Sequence, residues 1–404
     1  MRGVAMRKVK TVLRADRAKT LESLRTAKMA RSAHAYVRGN TASFYEWLDT
    51  LERGSLPEGP PVWICGDCHL GNLGPLADAE GKVGVQIRDL DQTVVGNPAH
   101  DIVRLGLSLT SAARGSDLPG MVTARMLEEM VRGYASGLVP EPGATPEEPD
   151  VVRTVRVRAL GRRWKHLAQE RIKDVEPSIP LGKRFWALDD EERTALAALF
   201  DEPEVRRLVL SLNGRSERAE VRLVDAAYWM KGCSSLGNLR YAALVRITEA
   251  DAGRSIALVD IKEAVATLAP AYAGAAMPED PAERVVAGAK ALSPNLGDRM
   301  LPVRLMGRSA VMRELCPQDL KLDVDQFSKS EAVRAAGYLA HVVGQAHGRQ
   351  MDGATARAWR DEVTRTTEGL KAPSWLWTSV VDLAGMHEVG YLEHCRLQVL
   401  TEAA

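Results

Sequence analysis

The sequence predicts an α+β protein in which a run of antiparallel strands is set between mainly helical stretches. Three observations predict it. Apolar residues recur at helical spacing through much of the first 138 residues. From residue 221 the pattern turns to strands, over 221–229, 240–248 and 255–262, with turns at 231–238 and 249–254. Helical spacing returns over 329–349, where Val333, Ala336, Leu339, Ala340, Val343 and His347 share one side. These patterns divide the chain into 1–220, mainly helical, 221–318, mainly strands, and 319–404, helical again.

Each element has its own signal. Residues 10–35 read as a polar helix rich in Arg and Lys, and a second helix runs from 41 to about 53, with Phe44, Trp47 and Leu51 at helical spacing. Pro57, Gly59, Pro60 and Pro61 end it. Val62-Trp63-Ile64 is a short buried strand, followed by a polar loop and an alternating strand over 83–87. Helices follow over 101–113 and 118–138, the second carrying Met126, Leu127, Met130, Val131 and Tyr134 in one stripe. Residues 139–150, rich in Pro and acid, read as a linker. The stretch 151–220 is very charged and the least patterned; Arg153, Arg156, Arg158, Arg162, Arg163, Lys165 and His166 form its basic patch. Past the three long strands come a helix after Pro281, two strands around 303–305 and 310–315, and a helical tail from Ala354, broken at Pro373.

Composition narrows the function classes. At roughly 150 residues per domain, 404 residues make two or three units. The 54 Lys+Arg and 53 Asp+Glu leave a net charge of +1, without the basic excess of a dedicated nucleic-acid binder. Five cysteines do not make a disulfide scaffold, and their odd number leaves at least one unpaired. The least polar stretch, 264–277, is interrupted by Pro270 and falls short of the about 20 apolar residues a membrane span needs. The basic N-terminal segment has no continuous apolar run. The expectation is a cytoplasmic protein with neither a membrane nor a nucleic-acid partner.

Chemistry concentrates after the first strand, in Cys65-Gly66-Asp67-Cys68-His69-Leu70-Gly71-Asn72. A second strand ends in Ile87-Arg88-Asp89-Leu90-Asp91, and Gly96-Asn97-Pro98-Ala99-His100-Asp101 follows. Two strands with acid or amide at their ends can converge on one metal-bound polyanion. Asp and Asn oxygens are hard ligands suited to Mg²⁺, which takes few protein ligands and several phosphate oxygens. A further carboxylate off the metal can accept a proton from an attacking hydroxyl. Cys65 to His69 also fits C-x-x-C-H, the covalent haem pattern. There is no export signal and no clear axial ligand for haem, no thioredoxin-like surround for a redox pair, and no second Cys/His pair at zinc-finger spacing. Small buried cysteines flanking a loop are the simpler reading.

This string resembles the catalytic loop of aminoglycoside phosphotransferases and related small-molecule kinases, H-G-D-x-x-x-x-N, then I-D-[FW]-[DE], then G-[DN]-P-x-x-D. The matching residues are Gly66-Asp67, Asn72, Asp89, Asp91, Gly96-Asn97-Pro98 and Asp101; Cys65 stands where the family has His. A kinase also needs a flexible loop over the phosphates and a lysine on a strand. Both lie downstream. Lys231-Gly232-Cys233-Ser234-Ser235-Leu236-Gly237-Asn238 is a Gly- and Ser-rich turn, although any hairpin can carry two glycines. Lys262 ends an apolar strand and resembles the kinase strand-three lysine, although a solvated edge lysine would read the same. Glu283, or failing it Glu263, is then the positional candidate to hold Lys262, and Arg313-Glu314-Leu315-Cys316 resembles a hinge that meets adenine through its backbone.

The order is catalytic loop, metal carboxylate, glycine turn, lysine, hinge, a circular permutation of the ordinary kinase order. Ala346-His347-Gly348-Arg349 resembles the end of the helix that precedes the catalytic loop in ordinary small-molecule kinases. The permuted arrangement is similar to that of one bacterial family, the one numbered 2252 among domains of unknown function. Its further marks are Lys28-Met29, Ser32, Tyr36 to Gly39, Lys262-Glu263-Ala264 and Arg284-Val285-Val286.

The resemblance implies a bilobal protein-kinase-like fold and transfer of a phosphoryl group from Mg-ATP to a hydroxyl. Asp67 would orient and deprotonate the acceptor. Asn72 and Asp89 would hold Mg²⁺, with Asp91 taking a second metal or supporting the first. Lys262 and the turn residues Gly232, Ser234, Ser235 and Gly237 would position the phosphates, with Glu314 and Leu315 at the base. Asp101 braces the loop through backbone N–H groups. His69 is either near the acceptor or a loop residue, and Arg38 either reaches the site or caps helices. The acceptor is an unidentified small molecule or protein, with the insertion at 115–220 as its natural seat. Transfer of AMP, or nucleotide sensing without turnover, are the alternatives.

Overall fold

The computed structural model describes residues 12–140, 146–162, 178–232, 236–250, 253–320, 328–365 and 373–403. Thirteen α-helices and three antiparallel sheets are present among them. No helix there is long and apolar enough to cross a membrane.

The larger lobe begins with α2 (Ala33–Gly39) and α3 (Thr41–Asp49). Ser32 caps α2 by accepting from the Ala35 N–H, which separates it from α1 (Arg14–Met29), where one continuous helix is expected from sequence. Strand β1 (Val62–Ile64) pairs with β4 (Val94–Gly96), and β2 (Leu73–Ala77) with β3 (Val83–Ile87). The polar loop expected before 83 thus holds a strand: Leu73 sits opposite Ile87, and every residue of β2 is buried. Helices α4 (Ala99–Gly115), α5 (Gly120–Leu138) and α6 (Asp150–Gly161) follow.

After residue 178 the chain enters the β lobe. Strand β5 (Phe185–Trp186), helices α7 (Asp190–Asp201) and α8 (Pro203–Leu210), and strands β6 (Glu220–Trp229), β7 (Arg240–Glu249) and β8 (Gly253–Glu263) come first. Then come α9 (Pro281–Leu292), the short α10 (Pro294–Gly297), β9 (Met300–Leu305) and β10 (Arg308–Glu314). The strands form one six-stranded sheet in the order β5-β6-β7-β8-β10-β9. The chain closes with α11 (Lys329–Gly348), α12 (Gly353–Thr364) and α13 (Ser374–Ala403).

Strand alternation decides what faces the other lobe. In β7, Tyr241, Ala243, Val245 and Ile247 point into a core shared with α1, α7 and α8, and Ala242 and Leu244 into the opposite cluster. In β8, Ala257, Val259 and Ile261 join the first core and Leu258 the second, so Asp260 and Lys262 follow Leu258 onto that second face. The segment expected as one insertion on the larger lobe therefore divides. Helix α5 packs on α11, so closely that a Cβ at Gly133 would lie 1.9 Å from the Gly337 carbonyl oxygen. Helices α7 and α8 instead cover the sheet, where buried Arg17 of α1 pairs with Glu192. In the basic patch, Arg153 pairs with Asp150 and Arg156 makes two bonds to Glu148; 163–166 lie outside the described residues.

Candidate active site

Three segments meet: the loop after β1, the loop after β3 and the end of β8. The first loop turns at Gly66, whose φ of 73° is left-handed. A Cβ there would sit 2.2 Å from the Gln92 carbonyl oxygen, so only glycine fits. Asp101, in the first turn of α4, accepts from the Cys65 N–H at 2.7 Å and the Gly66 N–H at 2.9 Å. His347 of α11 completes the brace at 3.2 Å from Asp101. The His347 tautomer is assigned from its partners: Trp359 donates to the Tyr134 hydroxyl, which donates to His347 Nδ1, leaving Nε2–H for Asp101. Asp101 is 0% exposed and does not reach the cleft.

Asp67 follows that turn and does reach it. A cleft of about 290 Å³ is lined by Asp67, His69, Asn72, Asp89 and Asp91, together with Asn238 at the far end of the glycine turn. The Asp67 carboxylate accepts from Arg104 Nε at 2.9 Å and from the Thr41 hydroxyl at 3.0 Å. Burial pushes its pKa up; the Arg104 charge and the bonds from Arg104 and Thr41 pull against this and do not cancel it. A raised carboxylate is the better proton acceptor. His69 stands 3.8 Å from Asp67, too far for a hydrogen bond. Burial, then Arg38 and Arg104, hold its pKa well below the ordinary value, so it is neutral. Asn72 donates from its side chain to the Asp67 carbonyl at 3.0 Å, and its own backbone carbonyl accepts from the Arg88 N–H at 2.7 Å. That second bond docks the loop after β3 against the first.

Lys262 crosses from the β lobe to the carboxylates of this second loop. Its Nζ lies 3.3 Å from Asp89 Oδ1 and also contacts Asp91 Oδ2. Burial raises Asp89, but Lys262, Arg240 and Arg313 outweigh it and hold the carboxyl far below the usual range. Asp91 goes the other way, up to about 6, through burial and the Asp89 charge. Behind Lys262, Arg240 makes two bonds to buried Asp260, and Arg313 approaches Asp260 at 3.5 Å. Arg284 of α9 fixes the loop backbone, donating to the Asp91 and Val265 carbonyls at 3.0 Å and to that of Thr93.

Not every expected residue arrives. Glu283 is exposed on the first turn of α9 and makes no ion pair with Lys262. Glu263 pairs with Arg308 and accepts from the Leu239 N–H, so Lys262 is held by Asp89 and Asp91 in place of either glutamate. The Glu314 carboxylate is buried against Arg215, and its carbonyl accepts from Arg299. The Leu315 N–H donates to the Leu258 carbonyl at 2.8 Å and the Cys316 N–H to Asp319. The Glu314 carbonyl and the N–H groups of Leu315 and Cys316 are thus already engaged. In the turn, Gly232 and Gly237 have φ of 100° and 114°, and the Gly232 carbonyl accepts from Lys28. Ser234 and Ser235 lie outside the described residues. Arg38 packs over Gly71, beside His69. Cys65 and Cys68 are buried thiols, and no group of three His, Cys, Asp or Glu with metal-binding geometry occurs among the described residues.

Sequence reasoning missed Thr41, Arg104 and the role of Arg284. Arg104 carries a signal, since it is the one charge within the apolar run of Ile102 to Leu109 and lies one turn from Asp101.

A sequence model of the family described as "Uncharacterized protein conserved in bacteria (DUF2252)" matches residues 17–397. The chain belongs to this family. Nothing among curated proteins or solved structures matches it. The family model spans both the loop that carries Asp67 and the strand that carries Lys262.

Proposed function

We propose that this member of the family is a circularly permuted, protein-kinase-like phosphotransferase that moves the γ-phosphoryl group of ATP to a hydroxyl, with Mg²⁺. One observation carries the reading: Lys262 reaches Asp89, 173 residues away in sequence, at a cleft that Asp67 and Asn72 also line. The order of parts in the β lobe supports it. A hairpin with the glycine turn (β6–β7), the lysine strand (β8), a helix (α9) and two strands (β9, β10) follow each other as glycine loop, lysine strand and helix do in kinases.

The residues have separable tasks. Asp67, raised and facing the cleft, accepts the hydroxyl proton. Thr41 and Arg104 aim its two oxygens, and Asp101 fixes the backbone beneath it. Asn72 donates its amide N–H inward and leaves its Oδ1 without a hydrogen bond from the described residues. Asp89 and Asp91 share a single ammonium, so one negative charge is left over for a second cation. Two carboxylates and an amide oxygen are a hard donor set that fits Mg²⁺ held largely by substrate phosphates. Bound there, Mg²⁺ would neutralise charge developing on the phosphate oxygens. Lys262 supplies fixed positive charge to the same phosphates.

Transfer of AMP, and nucleotide sensing without transfer, are the other readings of the same cleft. Incubation with a panel of hydroxyl compounds and Mg-ATP, labelled at the α or the γ phosphate, separates the cases. We expect γ label on an acceptor and ADP as the by-product. Label from the α position, with pyrophosphate, would replace this with AMP transfer, and binding with no transfer at all would leave the sensing role. Lys262→Met should weaken binding of a non-hydrolysable Mg-ATP analogue by about 10- to 150-fold, the value of one charged hydrogen bond.

A further inference from the structure

The charges around the cleft do not balance at the Asp67 end. Asp67 pairs with Arg104 and Glu263 with Arg308, while Asp89 and Asp91 share Lys262 and keep one negative charge between them. Two guanidinium groups near Asp67 have no carboxylate partner among the described residues. Arg25 of α1 lines the cleft; its Nη2 donates only to the Gly39 carbonyl at 3.2 Å, and it has no carboxylate within ion-pair reach among the described residues. Arg38 of α2 lies against Gly71 and bears on His69; its Nε is buried without a hydrogen-bond partner, and it too has no carboxylate partner there. Half-buried cations without counter-charge are costly unless a ligand supplies the anion. Arg25 holds the Gly39 carbonyl, two residues from the Thr41 that bonds Asp67, and Arg38 bears on His69, 3.8 Å from Asp67, so both stand at the end of the cleft where the acceptor hydroxyl must lie.

We propose that the acceptor carries a phosphate or carboxylate group, held by Arg25 and Arg38 while its hydroxyl faces Asp67. This rests on the phosphotransferase reading. In the step, the hydroxyl proton goes to the Asp67 carboxylate and the hydroxyl oxygen bonds to the γ phosphorus. The bond from that phosphorus to the β–γ bridging oxygen breaks, and ADP leaves. A guanidinium fork suits either anion, because both present two coplanar acceptor oxygens.

The test uses inorganic phosphate, and acetate in a parallel arm, titrated into the full chain at constant ionic strength set with chloride. A saturating non-hydrolysable Mg-ATP analogue occupies the nucleotide end. Binding is read by calorimetry. The parent should bind phosphate or acetate, and whichever binds names the anion. Arg25→Gln with Arg38→Gln should weaken it at least about 10-fold. Arg25→Lys with Arg38→Lys should keep most of it, which shows that a loss comes from charge and not from misfolding. Binding no stronger than chloride, or binding unchanged in the double Gln variant, would overturn the proposal. The phosphotransferase reading fails separately, by absence of γ-label transfer or by undiminished analogue binding in Lys262→Met.

Discussion

Two stretches of the same sheet, side by side, treat their polar groups in opposite ways. At the end of β8, Lys262 serves two carboxylates that are 45% and 31% exposed in their side chains. At the end of β10, Glu314 is 5% exposed, locked onto Arg215, and the backbone that follows is hydrogen-bonded within the protein. Both looked like parts of one nucleotide site. Groups that satisfy one another completely hold a fold together, whereas groups left sharing a partner in an open cleft are available to a ligand. Asp67, in the loop after β1, and Asp101, which braces that loop from α4, repeat the contrast.

The comparison can be broken at several points. The largest expected effect is at Asp67. Asp67→Asn should cut phosphoryl transfer by about 10²- to 10⁴-fold with Mg-ATP affinity kept. It also strands Arg104, which is 0% exposed, so the melting temperature should fall; adding Arg104→Gln should recover stability without recovering turnover. Next comes Glu314→Gln, which removes the partner of the buried Arg215 guanidinium. It should cost about 3–5 kcal/mol in denaturant unfolding, while transfer per folded molecule stays at the parent level. A loss of Mg-ATP affinity in that variant would restore the hinge to the site.

A smaller effect follows from pH. Asp91 titrates near 6 in the folded protein against about 3.9 unfolded, so its contribution to stability is present below about pH 4 and lost as pH rises through 6. Asp89 has the opposite sign: held low, it stabilises above its unfolded value and loses that contribution only in acid. Metal must displace the Asp91 proton, so Mg-ATP affinity should strengthen between pH 5 and 7, and Asp91→Asn should flatten that dependence in calorimetry. The smallest effect is at Glu283, where Gln should change neither Mg-ATP affinity nor melting temperature. A measurable loss would show that α9 swings this carboxylate onto Lys262 when nucleotide binds.

What was legible in the sequence follows from how far apart the partners stand. The strings 65–72 and 87–91 are local, and their loop positions follow from the strands before them. Lys262 ends an alternating strand, so its face could be counted. The strands 221–262 and the helix at 329–348 were legible because their apolar period is unbroken. Residues 185–210 were not, because their apolar positions serve a sheet that the chain has yet to make. Even so, the Asp189 and Glu192 capping box and the stripe of Leu196, Leu199 and Phe200 mark α7 locally. Arg104 and Thr41 lie 37 and 26 residues from Asp67, and no local pattern joins them. At 314–316 a strand end and a hinge look alike in letters, and only the bonds of Leu315 and Cys316 show which backbone groups the fold already uses.

Arg284 has a mechanical consequence. One side chain on α9 grips the backbone at Asp91, at Thr93 and at Val265, just past the lysine strand. The carboxylate loop and the end of β8 are thereby yoked to the same helix, and α9 itself is packed into the core of the larger lobe. The gap that Lys262 spans is therefore set by a rigid strut and not by the reach of a flexible side chain. Any tilt of α9 would retune both carboxylates together.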